Sequence, residues 1–268
     1  MLTAILGITK EPFNRLEPAL LPQQKKAAQI IKIHSQQGGF SVIIGNPGVG
    51  KTVLRQHIEA LGSEPDVTVV AFSRTMHTYI NILKQIAQAF EIEVQLRELE
   101  NAIIQAAFEQ VRERKTLYTL IDEAHLLDMQ VLRKLRLLFD RFPKKHNLVL
   151  FGQPELLHYL SITVNRDIKS RITYSESLYP LNDDDMQQYI QKELEAVRLG
   201  INTYDSAAAE LIIRSVQGNL RLCRNLCYAS LVEACRENKR IVTISHVNAV
   251  LVQPHWRSHE ELIKQQVS

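Results

Sequence analysis

"GNPGVGKT", Gly45–Thr52, decides the fold class of this 268-residue chain. The stretch satisfies G-x-x-x-x-G-K-[ST] in full, between the apolar run "FSVII" and the helix-forming "VLRQHIEAL". A strand that feeds a glycine-rich turn into a helix is the context this motif needs. The spacing has a chemical reason. Gly45, Asn46, Pro47, Gly48, Val49 and Gly50 let successive backbone N–H groups curl around a β-phosphate. The helix that opens at Gly50 adds its unpaired N–H groups and the positive end of its dipole. Lys51 is placed for the β- and γ-phosphates, and Thr52 for Mg²⁺. ATP and Mg²⁺ are therefore the expected cofactors.

Outward from the loop, short apolar runs alternate with helical periodicity. Strands are expected at residues 40–44, 67–72, 117–121 and 147–151, and helices at 23–36, 52–61, 78–90, 103–114 and 129–139. Strands buried on both faces and separated by helices imply an α/β fold, a three-layer parallel sheet. The character changes near Tyr179-Pro180. "NDDDMQQYIQKELEAVRLG" opens with an Asn cap and three acids at the positive end of the helix dipole, and closes on Gly200. Residues 206–216, 219–237 and 245–252 continue as helices. The expected organisation is a nucleotide-binding domain over residues 1–180, an all-helical lid over 181–253 and a tail over 254–268.

The stretch "TLIDEAHLLD" contains the letters of the DEAH helicase box. A phosphate-loop enzyme needs an acid at the end of a neighbouring strand to hold Mg²⁺. Asp122 is placed for that, and Glu123 for polarising the attacking water as general base. A helicase also needs a second sheet domain, and fewer than 90 predicted all-helical residues after position 180 cannot build one. The "AH" carries less: His125 reads as a helix cap or as facing the γ-phosphate side. Gln153, at the end of "NLVLFGQPEL", stands where an amide can sense γ-phosphate. Arg171 and Arg166 follow the core sheet, where a ring ATPase presents an arginine finger to its neighbour. Arg221, at the start of a lid helix, is a candidate to aim back at the phosphates; Arg224 is a weaker one.

Composition sets bounds. Hydrophobic residues make up 45%, net charge is +3 and the pI is near 8.7. No apolar run approaches the roughly 20 residues of a membrane span, and the N-terminus lacks the basic region of a secretory signal. Cys223, Cys227 and Cys235 cluster in one segment without a zinc spacing, so a reduced, cytoplasmic setting is expected. "VLRKLRLLFDRFPKKH", residues 131–146, carries Arg133, Lys134, Arg136, Arg141, Lys144 and Lys145 against the single acid Asp140. It reads as a solvated helix face or as an electrostatic footprint for phosphate backbone or an acidic partner. Trp256, between His255 and Arg257, reads either as a partner anchor or as tail packing.

"GNPGVGKT", "LIDEAHLLDMQVLRKLRLL", "LVLFGQPELL", "SRITYSESLYPLNDDDMQQYI" and "GNLRLCRNL" occur in the order in which they resemble the AAA+ superfamily. More closely they resemble its ExeA-like members and the transposition ATPases of the TnsC/TniB and Mu B kind. The resemblance implies that Arg171 is the arginine finger and Arg221 the lid arginine called sensor 2. It also implies that Gln23, Pro180 and Leu181 enclose adenine. It further implies ATP-dependent binding to DNA backbone, self-association into a ring or helical filament, and a transposase partner. By the same resemblance Arg74, Thr75 and His77 in "SRTMHTY", with Lys84 beyond, are the expected DNA contacts. The runner-up implied is a secretion ATPase acting on protein partners. The chain contains neither the membrane span nor the cell-wall-binding portion of ExeA itself, which favours the transposition reading.

Overall fold

The computed structural model describes residues 5–13, 20–72 and 78–256. The chain forms two units, Glu17–Tyr179 and Pro180–Ser268, the second joined by Met1–Leu16. The first unit holds a five-stranded parallel sheet of order β2-β3-β4-β1-β5. Its strands are β1 (Gly39–Gly45), β2 (Val67–Phe72), β3 (Thr116–Ile121), β4 (His146–Gly152) and β5 (Tyr174–Leu178). The helices are α1 (Pro22–Ser35), α2 (Lys51–Ala60), α3 (Tyr79–Ala89), α4 (Leu99–Arg112), α5 (Met129–Phe139), α6 (Glu155–Ser161) and α7 (Arg166–Lys169).

β1 and β4 are buried along their whole length, as parallel strands covered on both faces must be. Alternate residues feed two cores. Val42, Ile44, Leu148 and Leu150 pack with Ile86 of α3, Ile103 of α4 and Leu135 of α5 on one face. Ile43, Val149 and Phe151 pack with Ile31 of α1 and Leu54 of α2 on the other. Three layers follow from that alternation. Because every pairing is parallel, the strand ends Gly45, Ile121 and Gly152 gather along one edge, where ligands bind in open α/β sheets.

Four strands and their helices match the expectation to within a residue or a turn. β5 does not come from the apolar pattern. "YSESL" alternates with polar residues and buries only Leu178, and it pairs only with β1. Its register is pinned where Thr173 N donates to Phe40 O over 2.8 Å.

The second unit is helical: α8 (Asp183–Glu195), α9 (Ser206–Val216), α10 (Leu220–Arg236) and α11 (Ile244–Leu251). Asn182 caps α8 through Asp185 N (2.7 Å), and Asp205 caps α9 through Ala208 N (2.6 Å). Met186, Ile190, Ile212, Leu226, Leu231 and Val247 form its interior. Cys223 and Cys227 are buried there with sulfurs 3.9 Å apart on one helix face. Among the described residues no group of His, Cys, Asp or Glu is arranged to hold a metal ion. Residues 5–13, expected in the nucleotide domain, group with these helices instead. Arg224 Nε donates to Phe13 O over 2.8 Å, which accounts for that arginine as a tether.

Candidate nucleotide site

β1 ends at Gly45, and α2 begins at Lys51 with Gly50 as its cap residue. Gly48 and Gly50 have φ of 88° and 98°, a region that strongly favours glycine. Gly45 is held by close approach: a Cβ there would lie 2.7 Å from both Leu178 O and Val49 Cγ2. Lys51 is buried, its Nζ donating to Gly45 O (2.6 Å) and Asn46 O (3.1 Å), so the ammonium sits inside the loop. Gln24 of α1 props the turn from behind, its Nε2 donating to Gly50 O over 2.9 Å. Thr52 is exposed on the first turn of α2. Pro47 and buried Val49 complete the loop.

Asp122 and Glu123 follow the last residue of β3. Asp122 Oδ1 accepts Glu123 N (2.9 Å), and Oδ2 lies 3.3 Å from Arg55 Nε. Arg55 stands one turn beyond Lys51 on α2, nearly buried, and also meets Glu59 at 2.6 Å. Sequence reasoning missed Arg55; its signal was an arginine inside the otherwise apolar face "VLRQHI". Thr52 and Asp122 offer a hydroxyl and a carboxylate, the hard oxygen donors that suit Mg²⁺ beside phosphates. These residues fit the ion, which would neutralise phosphate charge when bound.

Glu123 has φ 51° and ψ 36°, a left-handed conformation that costs on the order of 1 kcal/mol or more for a residue with a side chain. The following turn, Ala124–Leu126, brings His125 over the end of β4. His125 Nε2 stands 3.0 Å from Gln153 Nε2 and 3.5 Å from Glu123 Oε2. Gln153 N also approaches His125 Nδ1 at 3.4 Å. Gly152 is held by close approach of α6, where a Cβ would lie 2.8 Å from Leu156 Cδ2. The structure thus brings together Lys51, Asp122, Glu123 and Gln153 at adjoining strand ends, and adds His125 as a contact of two of them.

Arg171 is elsewhere. It precedes β5 and lies by the start of β1, one strand length from Gly45. Five residues of strand span about 17 Å. It is 55% exposed and pairs with Asp140 at 3.3 Å. Arg166 is exposed at the start of α7. Lys84 is exposed on α3, whereas Arg74, Thr75 and His77 lie outside the described residues. Gln23 clamps Tyr179 through both amide ends, at 3.0 and 3.1 Å. Pro180 and Arg221 belong to the helical unit, where Asn219 Oδ1 caps Arg221 N at 3.0 Å.

The basic face of α5 is largely engaged within the unit. Arg133 Nε lies 3.4 Å from Asp167 Oδ2 and its Nη2 donates to Asn165 Oδ1 over 2.9 Å. Arg136 lies 3.7 Å from Asp140 and 3.8 Å from Asp167. Arg141 donates to Asn101 (2.9 Å), and Lys134 lies 5.5 Å from the centre of the Tyr79 ring. Counting acids along residues 131–146 overlooked Asp167, which α7 supplies from a later segment.

A family model described as an AAA domain matches residues 33–160. General secretion pathway protein A of Aeromonas hydrophila is 26% identical over 260 residues. That match takes in 90% of the chain but only 46% of the relative, so the chain spans about half that protein's length. Among solved structures, the Aeropyrum pernix ORC2 protein in ADPNP–ADP complexes superposes with a TM-score of 0.69 at 15% identity. The superposition covers 90% of this chain and 71% of that one. Drosophila ORC bound to DNA gives 0.68 at 18% identity, covering 97% and 66%. The shared fold is the AAA+ sheet with a helical C-terminal part. Among the described residues no helix is long and apolar enough to cross a membrane.

Proposed function

We propose that this ATPase of the AAA+ fold assembles with ATP into an ordered oligomer on DNA and regulates a transposase. One observation carries the assembly: Arg171, the candidate finger, stands at the opposite end of the sheet from Gly45. About a strand length separates it from its own phosphate loop, so it serves the ATP of a neighbouring subunit. Lys51, with the loop from Gly45 to Gly50, binds phosphates. Thr52 and Asp122 hold Mg²⁺, Glu123 activates water and Gln153 contacts the γ-phosphate. Pro180 and Arg221 act from the helical lid. Hydrolysis then loosens the oligomer, which is a ring or a filament.

DNA as the surface of assembly is supported by the likeness to an ORC solved on DNA. The transposase partner is supported by the sequence resemblance described above. Arg74, Thr75, His77 and Lys84 are the proposed backbone contacts. The test is DNA binding with a non-hydrolysable ATP analogue in rising salt. ATP-dependent binding that weakens steeply with salt is expected; no such binding sinks the DNA reading. A second reading, action on protein partners in secretion, is favoured by the similarity to General secretion pathway protein A. Its mark is assembly with ATP that DNA leaves unchanged.

A further inference from the structure

We infer that His125 is a positioning residue for the base, passing its Nε2 hydrogen between the Gln153 amide and the Glu123 carboxylate. The inference rests on the reading of Glu123 as general base and Gln153 as γ-phosphate contact. Three contacts converge on one imidazole. Gln153 N faces Nδ1 at 3.4 Å, which makes Nδ1 the acceptor and leaves the hydrogen on Nε2. Nε2 faces the end of the Gln153 amide at 3.0 Å, and Glu123 Oε2 at 3.5 Å. An N–H cannot donate to an amide nitrogen, so the amide presents its oxygen after a half-turn about its terminal torsion.

That half-turn has a consequence for the other end of Gln153. With Oε1 accepting from His125, the amide NH₂ points away from the ring and is available to a phosphate oxygen. A γ-phosphate that engages the NH₂ fixes Oε1 on the imidazole. The single Nε2 hydrogen is then committed to Gln153, and the Glu123 carboxylate is released toward water. Without that anchor the amide turns freely, and Nε2–H donates to Glu123 and holds the base back. His125 is placed for this exchange because its side chain is only 11% exposed, while that of Glu123 is 44% exposed. The left-handed backbone at Glu123 opens the turn that carries His125, and both Gln153 and Glu123 meet the ring at Nε2.

The test is steady-state ATP turnover by the full chain carrying His125→Ala, His125→Gln, Gln153→Ala or the double change His125→Ala/Gln153→Ala. Thermal unfolding verifies that each variant is folded. His125→Ala is expected to lower kcat by about 10-fold or more, because the Gln153 amide loses the partner that aims its NH₂ at the γ-phosphate once Glu123 is released, with KM for ATP changed less than about two-fold. The double variant is expected to be no worse than the poorer single one, because the two residues act as one relay. His125→Gln, which keeps an N–H near Nε2, should recover part of kcat. A His125→Ala rate within about two-fold of the parent, or losses that multiply in the double variant, overturns the inference. Should His125→Ala not fold, His125→Gln combined with Gln153→Ala carries the same cycle. Glu123→Gln is assayed alongside. If it turns over ATP normally, the base assignment itself is wrong; if it is inactive while His125→Ala is not, only the relay falls.

Discussion

Arg55 Nε lies 3.3 Å from Asp122 Oδ2, and this pair ties the helix behind the phosphate loop to the end of β3, two strands away from β1. Both side chains are largely shielded, at 9% and 12% exposure. The guanidinium therefore sets the orientation of the carboxylate proposed to face Mg²⁺. It also couples any movement of α2 to the acid pair.

Removing that guanidinium leaves Asp122 a shielded, unpaired charge. Arg55→Ala is expected to destabilise the protein by about 3 kcal/mol, the scale on which a shielded ion pair fails when one partner goes. Arg55→Lys should recover only part, because an ammonium lacks the planar fork that serves Glu59 and Asp122 together. Denaturant unfolding of the two variants measures both effects. Equal stability of Arg55→Ala and the parent would show that the pair is not structural.

The position of Arg171 predicts complementation between subunits. Lys51→Ala and Arg171→Ala should each lose most ATP turnover. A mixture should regain a fraction of it, since some interfaces then combine an intact loop with an intact finger. Turnover measured across mixing ratios decides this. A mixture no better than either variant argues that Arg171 does not act on a neighbour.

His146 gives the stability a pH dependence. Burial pushes its imidazole below the ordinary value of 6.5, partly offset by the hydrogen bond to Pro143 O (2.7 Å) and by nearby Asp140. The unfolded chain then takes up the proton before the folded one does. Stability is unaffected by this group above the unfolded value, declines as pH falls below it and levels off beneath the folded value. Melting temperatures of the parent and His146→Phe, followed from about pH 8 to about pH 5.5, should converge or cross as the parent alone loses stability through this group. Parallel curves would exclude His146 as the source.

Gly218 lies in the turn after α9 with φ 78°, and Leu181 N donates to its carbonyl over 3.0 Å. A Cβ there would overlap Leu181 O and lie 2.7 Å from Leu181 N and Pro180 Cβ. Gly218→Ala is expected to cost about 2 kcal/mol or more, from backbone strain and overlap together. Thermal unfolding checks this. An unchanged melting temperature would mean that the turn relaxes freely.

The phosphate loop, the alternation of strands with helices, and the capped helices after residue 182 were legible in the sequence. Each is a local pattern: glycines at fixed offsets, a buried period, an Asn before three acids. The acid pair was legible for the same reason, since it closes an apolar run. What the tertiary structure alone decided depends on residues distant in the chain. β5 has no apolar signature, because only Leu178 of it is buried and its pairing with β1 is what makes it a strand. Residues 131–146 looked like a free basic face until Asp167 and Asn165 folded against them. Arg55 acquires its meaning from Asp122, and His125 from Gln153; each lies on a separate element that only the register of the sheet brings close. Local spacing encodes which groups a turn or helix presents. Which charge or hydrogen bond then satisfies them is settled by packing, where leaving a shielded polar group unpaired costs more than the contact itself contributes.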